Sequence, residues 1–143
     1  MSPEEAVRAF FDCYTNGRPE DFDACVAPDY VDYGHEPPGI GPDGARADYE
    51  NAIKLLGGLI RYAIDALVVD GDMVAAAWTG RLPSGAEMKG LSLYRVTGGL
   101  LRSTRHQLIG AFGQPHGAHA ADADLAQQSV RPDDLARLRF GAA

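Results

Sequence analysis

The chain has 143 residues, of which 45% are hydrophobic and 23% charged, and its net charge is −7. This length predicts one domain with a sizeable core, and the composition is that of an ordinary globular protein. The negative charge would repel the phosphates of nucleic acids and of anionic membrane surfaces, so both are excluded as partners. A small molecule stays possible as a partner, because the local charge of a pocket can differ from the total.

The N-terminus lacks the basic and apolar regions of a signal peptide, and no apolar run reaches the ~18 residues of a membrane span. Cys13 and Cys25 lie inside predicted helices rather than at the spacing of a disulfide framework. We therefore expect a reduced chain in the cytoplasm, without membrane association.

The first predicted helix begins at Pro3, after the N-cap Ser2, and ends near Gly17. Glu5 stands at the capping-box position. A second, short helix follows Pro19 and ends at Pro28. Apolar residues form a stripe on each helix: Ala6, Val7, Phe10, Phe11 and Tyr14 on the first, and Phe22, Cys25 and Val26 on the second.

A short strand at 30–33 and a Gly/Pro-rich loop at 34–44 precede the third predicted helix. That helix opens at Pro42 and ends at Gly57 and Gly58. Its buried face is predicted from helical spacing and comprises Ala45, Tyr49, Ala52, Ile53 and Leu56.

From Leu59 onward the hydrophobic period changes from helical to alternating, which predicts strands at 59–69, 73–82, 87–96 and 100–109. Turn signals such as Asp70-Gly71 join them as hairpins. Helices followed by an antiparallel meander indicate an α+β fold, with helix 3–16 packed across the concave face of one curved sheet. The domain is expected to span 1–114. Residues 115–143 form a C-terminal extension that is partly helical, from Pro132, or loosely ordered.

The order of these elements, together with several motifs, resembles the SnoaL-like polyketide cyclases of the NTF2-like superfamily. The motifs are Ala-Val-Arg-Ala-Phe-Phe at 6–11 leading to Asn-Gly-Arg at 16–18, Ala-Pro-Asp-Tyr-Val-Asp at 27–32, Gly-Pro at 41–42, Gly-Asp-Met-Val-Ala-Ala-Ala-Trp at 71–78, and Tyr-Arg-Val at 94–96 before Gly-Leu-Leu at 99–101. The resemblance covers residues 4–114.

This resemblance implies an NTF2-like cone, in which a strongly curved antiparallel sheet and three N-terminal helices enclose an apolar pocket. It also implies an intramolecular aldol ring closure, without metal or cofactor, promoted by an acidic residue on the last strand. His106 falls at that acidic position. Ser92 falls near the place where some cyclases carry a histidine, so the chain departs from the family at both positions.

His106 is the first candidate for catalysis. An imidazole with a pKa near ~6.5 can accept and return a proton at neutral pH. Strand alternation places it on one face with Arg102, Thr104 and Leu108, and turns Arg105 to the other face as an outer-face or interface residue. A hydrogen-bonded, inert histidine on a half-exposed strand is the alternative.

Asp48 and Tyr14 are the expected helpers of His106. Asp48 lies at the edge of the buried stripe of the third helix and could orient an imidazole, although an exposed surface aspartate is the more common case. Tyr14 could polarise a substrate carbonyl from the first helix. The residues expected to line the pocket or contact substrate are Phe10, Tyr33, His35, Tyr49, Trp78, Met88 and Ser92, with core packing the default role of Trp78 and Met88.

No metal and no cofactor are expected. Residues 32–36 include potential metal ligands, but no second cluster with ligand spacing stands on a rigid element, and His116 and His119 in the tail are a weaker case. Residues 39–44 match the GxGxxG pattern of dinucleotide-binding proteins. An antiparallel meander follows rather than a parallel crossover, so these glycines are expected to shape the pocket rim.

The leading hypothesis is a cofactor-free cyclase or isomerase that applies general acid/base chemistry to an apolar, carbonyl-bearing small molecule such as a polyketide-type intermediate. An epoxide-opening enzyme is the second hypothesis. It needs a carboxylate–arginine–carboxylate cluster, which Arg102 and Asp48 would supply only in part. A non-catalytic small-molecule-binding protein is the third, because a fold does not fix a function. A homodimer through the outer face of the sheet is expected from the fold.

Overall fold

A computed structural model of the protein describes residues 1–112. The elements, in chain order, are α1 (Pro3–Thr15), a 3₁₀ helix (Pro19–Asp21), α2 (Phe22–Cys25), β1 (Val26–Asp32), β2 (Gly39–Ile40), α3 (Gly41–Leu56), β3 (Arg61–Asp70), β4 (Met73–Arg81), β5 (Glu87–Thr97) and β6 (Leu100–Phe112). The predicted C-terminal extension at 115–143 and its helix lie outside the described residues. Within the described part of the chain, no helix is both long and apolar enough to cross a bilayer.

The ends of α1 and α3 follow from local sequence. The Ser2 hydroxyl accepts a hydrogen bond from the Glu5 N–H at 3.1 Å, which satisfies one of the free donors of the first turn of α1. Gly57 ends α3 in the left-handed conformation, with φ of 78°. The predicted boundaries of both helices are confirmed to within about two residues.

The second helix is shorter than predicted, and the first strand is longer. Val26 was expected to continue the helix to Pro28, but its backbone is extended and opens β1. The β-branched side chain of Val26 suits a strand, and its backbone pairs with Leu101 of β6. A partner 75 positions away in the sequence, which no local pattern reveals, therefore decides this boundary.

The sheet has six strands in the order β2-β1-β6-β5-β4-β3. The predicted antiparallel meander is confirmed for β3 to β6. The first strand makes the whole sheet mixed, because β1 pairs with β6 in parallel. This pairing covers the outer edge of β6, which would otherwise present free backbone groups.

Register shifts between neighbouring strands bend the sheet, and α1 packs across the four strands of the meander on its concave face. Alternate residues of β4 and β5 point toward α1 and are buried. The α3 helix packs mainly against β1 and β2. The concave face therefore carries the core, and the end of β1, the start of α3 and the middle of β6 meet there.

Candidate functional site

Three ionisable side chains from three elements meet at the end of β1. Asp32 ends β1, His35 lies in the loop before β2, and Asp48 lies in α3. The Nε2 atom of His35 is 3.0 Å from Oδ1 of Asp48 and 3.4 Å from Oδ2 of Asp32. Both aspartates are buried, and the His35 side chain is 19% exposed. We call Asp32, His35 and Asp48 the carboxylate–histidine cluster.

Local contacts hold each carboxylate of the cluster. The Oδ1 atom of Asp32 accepts a hydrogen bond from the Gly34 N–H at 2.8 Å, which turns the chain at the start of the His35 loop. The Tyr14 hydroxyl donates a short hydrogen bond to Oδ2 of Asp48. Tyr14 comes from α1, so two of the predicted site residues, on the first and third helices, are in contact; their role in catalysis stays a prediction.

The two carboxylates set the charge of His35. Burial by itself lowers the pKa of an imidazole, but the close contacts with the Asp32 and Asp48 carboxylates and their negative charges outweigh it and raise the pKa of His35 to about 10. At neutral pH His35 is therefore an imidazolium shared between two carboxylates.

His106 approaches the same cluster from the sheet. It lies on β6 directly opposite Ser92 of β5, and its Nδ1 atom is 2.6 Å from the Ser92 Oγ. The same oxygen accepts a hydrogen bond from the Trp78 indole N–H at 2.8 Å. The Ser92 oxygen could accept from both neighbours, but Nε2 faces the Asp32 carboxylate, so we assign the imidazole's own proton to Nε2 and the Ser92 hydroxyl hydrogen to Nδ1. Nε2 is 3.9 Å from Oδ2 of Asp32.

The charge of His106 is opposite to that of His35. Burial lowers the pKa of His106, and the positive charge of His35 lowers it further, against the raising effect of Asp32 and Asp48. His106 is therefore a neutral imidazole at neutral pH. The Asp32 carboxylate lies between a charged and a neutral imidazole, both presenting Nε2 to its Oδ2.

Tightly packed aromatic residues lie below His106. Trp78 of β4 faces Gly90 of β5, and a Cβ atom on Gly90 would lie 2.2 Å from the indole. The absence of a side chain at 90 is therefore what lets the indole reach Ser92. The Tyr94 ring packs edge-on against His106, with 6.1 Å between ring centroids.

Two further buried phenols lie near the histidine. Burial raises the pKa of Tyr94, and the nearby Ser92 hydroxyl opposes part of that shift, although the Tyr94 hydroxyl makes no hydrogen bond of normal geometry among residues 1–112. The Tyr30 hydroxyl donates to the Thr104 hydroxyl at 2.7 Å. Both phenols stay protonated at neutral pH, because burial raises the pKa of Tyr30 as well.

The structure brings most of the predicted site residues together. His106, Asp48, Tyr14, His35, Ser92 and Trp78 belong to one connected set of contacts. Phe10, Tyr49 and Met88 are buried in the core. Phe10 and Tyr49 each pack edge-on against Tyr14.

Two predicted residues lie elsewhere. Tyr33 is 50% exposed, and its ring stacks under the guanidinium of Arg105, on the face of β6 opposite to His106. The expected outer-face position of Arg105 is confirmed. Arg102, which was considered for an epoxide-opening cluster, binds Asp29 at 2.9 Å and Thr97 instead of Asp48. The geometry therefore does not support that cluster.

Asp32 is the central residue that the sequence analysis left out of the site. It had appeared only as part of the mixed motif at 32–36. Alternation along β1 was the available signal, because Tyr30 and Asp32 share a face and Tyr30 is fully buried. The sequence predicts the strand that becomes β6 but not its pairing with β1, so the direction of that face does not follow from the sequence.

The cluster also has the donor atoms of a cation site. One donor atom from each of Asp32, His35 and Asp48 lies within 4.8 Å of the others, and such donors suit a divalent transition metal ion. A proton already occupies the shared position on His35, so a metal ion would have to displace it. The expectation of a metal-free site stays a prediction.

Two surface depressions lie away from the cluster. One, of about 490 Å³, lies along the outer side of β3 to β5, and the other, of about 330 Å³, lies beside α1. Neither is lined by Asp32, His35, Asp48 or His106. The apolar pocket expected on the concave side stays a prediction.

Comparison with known proteins identifies the family and the fold. The SnoaL-like domain family matches residues 7–104 of the chain. No curated protein matches the sequence.

Several solved structures share the fold. IdmH from Streptomyces antibioticus, a candidate polyketide cyclase, superposes with a TM-score of 0.66 at 19% identity and covers 91% of this chain and 100% of its own. A candidate ketosteroid isomerase from Kribbella flavida superposes with a TM-score of 0.64 at 19% identity and covers 80% of this chain and 83% of its own. An NTF2-like protein of unknown function from Cytophaga hutchinsonii superposes with a TM-score of 0.63 at 13% identity and covers 76% of this chain and 90% of its own. At these identities the likeness shows the fold alone, which is NTF2-like.

Proposed function

The chain belongs to the SnoaL-like domain family, and on that premise we propose that it is an acid/base enzyme acting on an apolar, carbonyl-bearing small molecule, as a cyclase or an isomerase. One observation carries the proposal. A buried carboxylate, Asp32, lies between a neutral and a charged imidazole that both present Nε2 to it. A base beside two proton donors is the arrangement that enolate chemistry needs.

In this mechanism Asp32 is the general base. Its Oδ2 takes the proton from a carbon next to the substrate carbonyl. The electron pair of the broken C–H bond forms a carbon–carbon double bond, and the π pair of the carbonyl moves onto its oxygen. The Nε2–H groups of His106 and His35 donate hydrogen bonds to the enolate oxygen. In the tautomer assigned above, Nδ1 of neutral His106 accepts from Ser92, so His106 acts as an acid and hydrogen-bond donor through Nε2.

Two outcomes can follow from the same enolate. In an isomerase, the proton on Asp32 returns to a different carbon of the conjugated system. In a cyclase, the enolate carbon attacks a second carbonyl of the same molecule, a carbon–carbon bond forms, and the resulting alkoxide takes up the proton. His35 is the most exposed member of the cluster, so we propose that the substrate enters past His35 and places its carbonyl oxygen within reach of both Nε2–H groups. The relatives named as a polyketide cyclase and a ketosteroid isomerase support both outcomes equally.

Removal of the proton next to the carbonyl is common to both outcomes, so measuring this step tests the proposal. The measurement is deuterium uptake at the α-carbon of a hydrophobic cyclic ketone in D₂O, followed by mass spectrometry. We expect the wild type to accelerate uptake and Asp32→Asn to reduce that acceleration by about 10²–10⁴-fold, the usual contribution of a general base. Asp12→Asn, which alters an exposed aspartate on α1, is the matched control.

The opposite results have separate meanings. Unchanged uptake by Asp32→Asn would contradict the role of this carboxylate. A wild type that binds the ketone without exchanging its protons would instead favour a non-catalytic binding protein.

We also propose that two copies pair through the outer face of the sheet. Two rows of cross-strand neighbours there are apolar and partly exposed, and they comprise Ala66, Ala77 and Leu91 in one row and Val68, Ala75 and Leu93 in the other. An ion pair lies at each end of these two apolar rows: Arg95 pairs with Asp72 at one end, and Lys89 lies near Asp65 at the other. A second copy would thus meet an apolar centre and a charge-balanced rim.

Mass measurement in solution tests the pairing. We expect light scattering after size-exclusion chromatography to give a dimer mass for the wild type and a monomer mass for Leu91→Glu. Leu55→Glu, which adds the same charge at an exposed leucine on α3, should remain dimeric. A monomeric wild type would contradict the proposal.

A further inference from the structure

The loop that carries His35 is anchored on the outer side of the sheet. The Tyr33 N–H donates to the Thr104 carbonyl oxygen at 3.1 Å, which fixes the loop to β6. The Tyr33 ring faces outward, and the guanidinium carbon of Arg105 lies 4.3 Å from its centroid. Arg105 follows Thr104, so one short segment of β6 holds both the backbone and the ring of Tyr33.

His35 follows this anchor by two residues. Between them, the Gly34 N–H is taken by Asp32, so the chain turns tightly and His35 reaches back to the concave side. Its Nε2 must lie within hydrogen-bond distance of Asp48 on α3, which belongs to a different layer of the fold. A small displacement of Tyr33 would be transmitted directly to the imidazole, because only Gly34 separates them.

We propose that Arg105, through its stacking on Tyr33, is a positioning residue that holds His35 between Asp32 and Asp48. The inference deepens the proposed function, on which its consequence for catalysis rests. Arg105 touches neither carboxylate, since it lies on the opposite face of β6 from His106. Its effect on the site would therefore pass through the loop and not through contact with a substrate.

The size of the effect follows from the kind of contact. A partly exposed cation–π pair stabilises a structure only modestly, so its loss should loosen the loop without unfolding the domain. The looser loop would let the His35 Nε2 proton leave the carboxylates and exchange with water more often. The proton-exchange rate of this N–H therefore reports on the position of His35 independently of any catalysis.

The experiment measures that rate by NMR. The Nε2–H signal of His35, in contact with the two carboxylates, is assigned through its loss in His35→Gln. We expect the exchange rate to rise about fivefold in both Arg105→Gln and Tyr33→Ala, the factor that follows from a contact of this strength. Arg105→Lys keeps a cation over the ring and should restore most of the wild-type rate. Arg95→Gln removes an equal charge from the same sheet face and should leave it unchanged.

The possible outcomes separate the two proposals. An unchanged exchange rate in Arg105→Gln, or an equal rise in Arg95→Gln, would overturn the positioning role. If Tyr33→Ala fails to fold, Tyr33→Leu retains bulk and tests the same stacking. A faster exchange in a protein that catalyses no α-deuteration would leave the positioning role standing and contradict the proposed function.

Discussion

His35 and His106 lie on either side of Asp32, and their surroundings give them opposite charges. His35 lies in a loop and contacts two carboxylates, so its pKa is raised to about 10. His106 stands on a central strand among Ser92, Trp78 and Tyr94, and burial lowers its pKa. The difference teaches that the number of carboxylates within hydrogen-bond distance, more than burial, decides the protonation of a histidine here.

The largest expected effect separates the roles of the two histidines in turnover. His106→Ala removes the neutral Nε2–H donor and should lower the rate of α-deuteration by about 10²–10³-fold. His106→Asp should retain part of the activity with a more acidic pH optimum. His35→Gln keeps a neutral donor in place and should cost less. Equal losses in His106→Ala and His35→Gln, measured on variants with native circular dichroism, would contradict the distinction.

The pH dependence of stability should have opposite slopes for the two histidines. The folded pKa of His35 is about 10, above its usual 6.5, so its contribution is present below pH 6.5 and is lost as the pH rises toward 10. The folded pKa of His106 is lowered, so the protein loses stability as the pH falls below 6.5.

Thermal unfolding across this range measures both slopes. The Tm of the wild type should fall between pH 6.5 and 10, and His35→Gln should flatten that part of the curve. His106→Gln should flatten the curve just below pH 6.5 and leave the alkaline limb intact. A wild-type Tm that rises between pH 6.5 and 10 would show that His35 is not held as an imidazolium.

The smallest effect concerns the tautomer of His106. Ser92→Ala removes the hydroxyl that donates to Nδ1, so the imidazole proton should redistribute between the two nitrogens. We expect a loss of about tenfold in turnover, equal to roughly 1.4 kcal/mol. Nitrogen NMR shifts of His106 report the tautomer, and Ser103→Ala, on the same pair of strands, is the control. An unchanged nitrogen spectrum would contradict our assignment of the proton to Nε2.

The part of the site that lies on the strands β4, β5 and β6 could be predicted from the sequence. Strand alternation and hairpin turns are local signals, and they place His106, Ser92 and Trp78 on the same inward face. The resemblance to the SnoaL-like family singled out the same positions. Local periodicity suffices here because consecutive antiparallel strands pair with their neighbours in the chain.

The carboxylate–histidine cluster could not be predicted in the same way. Asp32 is placed by parallel pairing with Thr104, and Asp48 is buried by contacts with Tyr14 of α1 and His35 of the loop. These contacts join distant parts of the chain, which periodicity does not report. Asp48 also has the sequence context of an ordinary surface aspartate, so its burial depends on partners and not on its own helix.

The contact between Gly90 and Trp78 has a consequence for how this sheet can vary. A methyl group at 90 would overlap the indole at 2.2 Å, so the two positions share one fixed volume. A gain of bulk at one is tolerable only with a loss at the other, as in Gly90→Ala combined with Trp78→Leu. That exchange would also release Ser92 from its indole partner. Redesign of the concave side for a larger ligand would therefore begin with this pair. A substitution there changes both the space at the concave face and the hydrogen bonding of Ser92.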